Sequence, residues 1–147
     1  NCDANHPVAL DPDSIAEVMR MALRNASVKP SDVDYICAHG TGTPKNDAAE
    51  ARAIFDVYGD AAPPVSSVKS MIGHTLGAAA GFGAIASVLA IDKGFLPPTI
   101  NWTERDPEFA ALDPVPNQAR DARVRIAQNN GFAFGGNNAI TLFGAVA

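Results

Sequence analysis

Three stretches of this 147-residue chain hold residue types whose spacing could do chemistry. His39-Gly40-Thr41-Gly42-Thr43 follows an apolar run, so its histidine stands at a strand end beside backbone N–H groups and two hydroxyls. Such donors suit a polar ligand, and a purely structural strand-end histidine is the plainer alternative. Lys69-Ser70-Met71-Ile72-Gly73-His74 leads into a long uncharged segment. A histidine at the positive end of a helix is disfavoured as imidazolium. A neutral ring keeps one N–H to offer a developing oxyanion, whereas the plainer reading is a polar helix cap. Gly131-Phe132-Ala133-Phe134-Gly135-Gly136-Asn137-Asn138 separates two apolar runs and is most simply a tight hairpin. It is not a nucleotide loop, because no G-x-G-x-x-G follows a strand and opens a helix, and no Lys-Ser/Thr closes it.

Two further groups need weighing. Asp47 and Glu50 are three residues apart on a predicted helix and so point to similar sides. They are either a solvated surface pair or carboxylates facing Lys69. Cys37 and His39 share one side of an extended strand, roughly 6–7 Å apart, so a Cys/His hydrolase is conceivable. A free cysteine within an apolar strand is more simply a small buried hydrophobe. A metal site is not expected: His39 and His74 stand 35 residues apart and no close ligand pair accompanies them.

The elements that must position these residues follow from pattern. Asp11-Pro12-Asp13-Ser14 is a helix-start cluster. Ile15, Val18, Met19, Ala22, Leu23 and Ala26 then form one apolar stripe of an amphipathic helix. Residues 33–38 read as a short strand, 46–58 as a second helix with Ala49, Ala53, Ile54 and Val57 buried, and 65–69 as a second strand. Thr75 to Ile91 is 17 residues without a charge and rich in Ala and Gly. It is shorter than the roughly 20 residues of a membrane span and predicts a buried central helix with no membrane partner. Runs at 124–129 and 139–146 flank the glycine loop as strands. The sum is an α/β fold with a mixed sheet covered by helices.

Composition narrows the function classes. Apolar residues are 47% and charged residues 18%, enough for one globular domain over residues 1–147. Sixteen acidic residues against 11 basic give a net charge of −5, the wrong sign for tracking nucleic acid. Two sparse cysteines, Cys2 and Cys37, form no C-x-x-C pair and suit a reducing, cytoplasmic compartment. The first residues carry no Met and no signal-peptide pattern. They read like the middle of a loop, which predicts a processed chain or a piece of something longer.

In order, these segments resemble the C-terminal half of an elongating β-ketoacyl-acyl-carrier-protein synthase, of the fatty acid or polyketide kind. Cys2 to His6 is similar to an S-D-A-x-H segment. Ala38 to Thr43 reads A-H-G-T-G-T, with Asp47 and Glu50 at the family spacing. Val68 to Gly77 reads V-K-S-M-I-G-H-T-L-G, Leu96 to Asn101 reads L-P-P-T-I-N, and Asn130 to Asn138 is close to N-S-F-G-F-G-G-T-N. The resemblance implies a thiolase-like fold of which this chain is the second half. It also implies an acyltransferase that joins an acyl thioester to a malonyl carrier by decarboxylative Claisen condensation. His39 and His74 would hydrogen-bond the malonyl thioester carbonyl, a Lys69–Glu50 pair supported by Asp47 would orient the site, and Thr41 and Thr43 would meet the pantetheine arm. The Phe134 N–H would supply half of an acyl oxyanion hole, with the Phe134 ring and Phe132 forming the gate. No separate cofactor is implied, since substrates ride on the phosphopantetheine of acyl carrier protein.

Several positions depart from the family pattern: Asn46 for glycine, an Ala80-Gly81 inversion, Gly83 where many members carry glutamate, Ala133 for glycine and Asn137 for threonine. The family's nucleophilic cysteine, in a D-T-A-C-S-type segment, has no counterpart here. The expectation is therefore that acyl carrier protein and a separate N-terminal half are partners, that the chain oligomerises, and that alone it condenses nothing. A non-catalytic subunit, like a chain-length factor or a carrier-docking module, is the alternative.

Overall fold

The computed structural model describes residues 10–109 and 111–146; the Cys2–His6 segment singled out above lies outside them. Asp11 opens the first helix, α1 (Pro12–Ala26), its carboxylate accepting the Asp13 and Ser14 N–H groups at 3.3 Å each. With Pro12 at the first helical position, both ordinary start signals are present. Ile15, Met19 and Leu23 of the predicted stripe are buried.

The remaining elements are β1 (Tyr35–Cys37), α2 (Pro44–Tyr58), β2 (Val65–Ser66), α3 (Lys69–Ile72), α4 (Ala79–Lys93), β3 (Phe95–Leu96), β4 (Arg120–Asp121), β5 (Ile126–Ala133) and β6 (Asn137–Gly144). The main sheet runs β2-β1-β5-β6, parallel across β2/β1 and β1/β5 and antiparallel across β5/β6. Strands β3 and β4 form a small antiparallel pair that the sequence pattern did not suggest. Side chains alternate across a strand, and the sheet sorts accordingly. Ile36 and Phe132 join Ile15, Met19 and Ile54 under α1 and α2, whereas Tyr35, Cys37 and Ala127 join Ala90 under α4. The result is helices, sheet, helix in three layers.

Three elements differ from expectation. The strand predicted for 65–69 stops at Ser66. The Ser67 carbonyl accepts both the N–H and the hydroxyl of Ser70, turning the chain into α3 and swinging Lys69 back toward His39. The glycine loop is shorter than predicted, because β5 continues to Ala133 and only residues 134–136 turn, with Gly135 and Gly136 at positive φ. The uncharged helix is covered on one face only. Ala79, Gly83, Ser87 and Ala90 face the sheet, while Phe82, Ile85, Val88 and Leu89 remain 41–58% exposed. Its small residues allow the sheet to approach and its large ones point outward. The helical run also continues to Lys93, so Leu76–Lys93 is long and apolar enough to cross a membrane by length and composition, contrary to the length argument made from sequence.

Candidate functional site

The carboxyl end of β1 releases the chain into His39, Gly40 and Thr41, and α2 begins immediately after Thr43. Glu50, two turns along α2 and 3% exposed, points back at this loop. Its Oε1 accepts the His39 N–H at 2.8 Å and its Oε2 accepts the Gly40 N–H at 2.8 Å. Asn130 Nδ2 donates to Oε1 at 2.9 Å, and Asn46 Nδ2 reaches Oε2 at 3.4 Å. Four donors converge on one carboxylate, an arrangement that suits the anion. Burial pushes the Glu50 carboxyl up from its ordinary value, against the lowering exerted by Asn130, Gly40 and His39.

Gly40 is required here. It sits at φ +41°, and a Cβ there would lie 2.5 Å from the Ser67 Cβ, since the Ser67 hydroxyl donates to the Gly40 carbonyl at 2.6 Å. Lys69 Nζ donates to the His39 carbonyl. The implied Lys69–Glu50 pair is therefore not a direct ion pair. The two charges meet through one peptide segment, Glu50 taking the His39 N–H and Lys69 capping the His39 carbonyl. Burial lowers the Lys69 pKa, opposed by the charges of Glu50, Cys37 and Asp47.

The His39 ring is buried against Phe132, with ring centres 5.2 Å apart. The Phe132 backbone N–H donates to His39 Nδ1 at 3.3 Å. Burial first, then the Lys69 and His74 charges, hold the His39 pKa down to about 4. The ring is neutral near pH 7, and an accepting Nδ1 places its proton on Nε2. His74 shows the same arrangement: its Nδ1 accepts the Leu76 N–H at 3.1 Å, leaving the proton on Nε2. The two rings meet edge-on, 5.5 Å between centres. The helix-dipole argument made for His74 does not hold as stated, because α4 begins only at Ala79 and a 3-10 turn, Leu76–Ala78, intervenes.

An open cavity of about 650 Å³ is lined by Thr41, Thr43, Asp47, Glu50, Lys69 and His74, with Trp102 among the residues of its far wall. The Thr41 and Thr43 hydroxyls bond each other at 2.8 Å, and the Asp47 carboxylate accepts Asn46 Nδ2 at 2.9 Å. His39, Phe132 and Phe134 do not line this cavity. Phe132 is 6% exposed and serves the His39 ring, whereas Phe134, on the hairpin turn, is 78% exposed. Cys37 is 1% exposed and burial pushes its thiol up to about 11. That is the reverse of a reactive cysteine, and it removes the hydrolase reading. Among the described residues no group of three His, Cys, Asp or Glu gathers as metal ligands would.

Sequence reasoning missed Asn130 as a ligand of Glu50, Asn46 as a second amide donor, and Ser67 as the partner of Gly40. One signal was present: Gln128 and Asn130 are polar residues two apart in an otherwise buried strand, and hence on one face.

Residues 1–103 match the family described as "Beta-ketoacyl synthase, C-terminal domain". Nodulation protein E of Rhizobium meliloti is 44% identical over 145 residues, covering 97% of this chain and 36% of that protein. The 3-oxoacyl-[acyl-carrier-protein] synthase 2 of Staphylococcus aureus is 43% identical over 145 residues, covering 96% of this chain and 36% of its own. The chain thus spans about a third of the length of the relatives it matches. Among solved structures, the ishigamide ketosynthase/chain length factor superposes with a TM-score of 0.96 at 55% identity, over 99% of this chain and 36% of that one. Two Nε2–H donors beside a clamped strand-end loop, on a sheet superposable with ketosynthases and with a family match over most of its length, carry one conclusion: the chain belongs to the β-ketoacyl synthase family, within its C-terminal domain.

Proposed function

We propose that this chain supplies the decarboxylating part of a β-ketoacyl-acyl-carrier-protein synthase, in fatty acid or polyketide synthesis. The supporting observation is the pair of fixed tautomers: both Nδ1 atoms accept backbone N–H groups, so both rings offer Nε2–H, with the rings 5.5 Å apart. When a malonyl thioester loses CO2, the electron pair of the broken C–C bond moves onto the carbonyl as an enolate. Two preorganised donors stabilise that oxygen more than the ground-state carbonyl. The enolate carbon then attacks an acyl thioester, whose thiolate leaves. A cysteine on another segment, which this chain lacks, would hold that acyl group.

The partners that follow are an acyl carrier protein delivering the malonyl group past Thr41 and Thr43, and the N-terminal half bearing the nucleophile. A ketosynthase 36% identical to this chain was solved in complex with a type II PKS acyl-carrier protein, which supports the first. The cytoplasm is the proposed location, with α4 as a domain helix whose small-residue face lies on the sheet. The test is His74→Ala in the assembled synthase, scored by CO2 release from the malonyl carrier. Removing one oxyanion donor should cost about 10²–10³-fold. An unchanged rate would instead favour a non-catalytic, chain-length-factor-like subunit.

A further inference from the structure

Behind Glu50 the polar contacts do not stop. Asn130 Oδ1 accepts Gln128 Nε2 at 2.8 Å, and Gln128 Oε1 accepts the Tyr58 hydroxyl at 2.6 Å. Every member is buried: Tyr58 is 7% exposed, Gln128 0%, Asn130 2% and Glu50 3%. The chain therefore begins at Tyr58, the last residue of α2. It crosses to β5 through Gln128 and Asn130, and returns to α2 at Glu50.

Its direction is set by chemistry. Each link donates toward Glu50, the hydroxyl to an amide oxygen, an amide N–H to the next amide oxygen, and an amide N–H to the carboxylate. Turning either amide over would place its oxygen against an acceptor, so a carboxylate at one end and a hydroxyl donor at the other hold both amides in one orientation. Donor chains in a low-dielectric interior polarise one another and act as a unit.

Position makes this more than core satisfaction. Gln128, Asn130 and Phe132 are spaced i, i+2, i+4 on β5 and present one face. From that face Phe132 fixes the His39 ring through Nδ1, and Asn130 shares Glu50 Oε1 with the His39 backbone N–H. His39 is thus held at its ring and at its backbone by one strand.

We propose that Gln128, with Tyr58 behind it, is a positioning residue for His39, orienting Asn130 and through it the Glu50 carboxylate that clamps the His39–Gly40 backbone. This rests on the decarboxylation reading above. A buried glutamine that merely fills space is replaceable by methionine of similar length, whereas a directional link is not. The experiment is Gln128→Met combined with Tyr58→Phe in the assembled synthase, compared with wild type and His74→Ala.

The expected result is a kcat for malonyl decarboxylation about tenfold down with KM within twofold, since the loss lies in aiming a donor and not in binding the carrier. The His39 and Gly40 amide proton resonances should move upfield as their bonds to Glu50 slacken. Tyr58→Phe alone, which deletes one oxygen and keeps the ring, should show the same pattern at about threefold and covers the case where the double variant fails to fold. A kcat within twofold of wild type in a folded double variant, or unmoved His39 and Gly40 resonances, overturns the proposal. His74→Ala separates the two readings. If it leaves decarboxylation intact the functional reading falls, and the amide resonances still decide whether the relay holds the loop.

Discussion

At the scale of residues, the site depends on which imidazole nitrogen carries the proton, and His39 gives this a measurable consequence. The unfolded ring takes up a proton near its ordinary 6.5, whereas the folded ring holds out to about 4. Between those values the unfolded state binds more protons, so stability is lost as pH falls from 6.5 toward 4, by about 2–3 kcal/mol. Glu50 acts in the opposite sense, because its raised folded pKa contributes stability at low pH that is lost as pH rises through it. Denaturation midpoints at pH 7 and pH 5 should therefore be compared between wild type and His39→Gln. The variant is expected to lose less stability on acidification, and equal losses would contradict a depressed His39. The same interior that keeps His39 neutral keeps Cys37 a thiol, pushed up to about 11 by burial; one cause accounts for both.

At the scale of elements, α4 shows how a helix can depart from its family pattern and still fit. Gly83 stands where many members carry glutamate, and the structure supplies a reason. A Cβ at Gly83 would lie 2.2 Å from Asn129 Oδ1, because the buried Asn129 side chain occupies that space and donates to the Ala80 carbonyl at 3.1 Å. The Ala80-Gly81 inversion has a related explanation, since the Ala80 methyl comes within 3.3 Å of where a Gly131 Cβ would stand. Helix and strand have thus exchanged volumes at one contact. Gly83→Ala should cost about 1–3 kcal/mol through overpacking. Gly83→Ala with Asn129→Ser should cost clearly less than the sum of the single changes, a coupling above about 0.5 kcal/mol. Thermal unfolding of the four proteins measures it, and simple additivity would mean that the neighbours give way without strain.

At the scale of the molecule, one face of the sheet is closed under α1 and α2, while the far side of α4 is not closed by the described residues. Phe82, Ile85, Val88 and Leu89 extend along that side, and Leu76 is 78% exposed. Large contiguous apolar surface of this kind marks an interaction site. Sedimentation velocity on the purified chain at tens of micromolar should therefore give species heavier than 15.3 kDa. Adding the nucleophile-bearing half should convert them to one defined complex. A single monomeric boundary across that range would show that the face tolerates water.

Much of this was legible in order along the chain. Asp11-Pro12 announced α1, the stripe from Ile15 to Leu23 announced its buried face, and the motifs around His39, Lys69, His74 and Phe134 named the family and the chemistry. These signals are local, carried by residues within a turn or two of one another, and so survive without a fold. What the sequence left open involves partners far apart in the chain. The proton on His39 is placed by Phe132, 93 residues away, and the Glu50 carboxylate is shared with Asn130, 80 residues away. Lys69 and Glu50 met through the His39 peptide and not with each other, because the Ser67–Ser70 turn ended β2 early. The uniform apolarity of α4 likewise concealed which face is covered, since hydropathy reads amount and the sheet reads size. Residue types and local spacing determined what this chain can do. Packing of β5 against β1 and α2 decided which atoms point where, because hydrogen-bond direction depends on the geometry of neighbours that only the folded chain brings together.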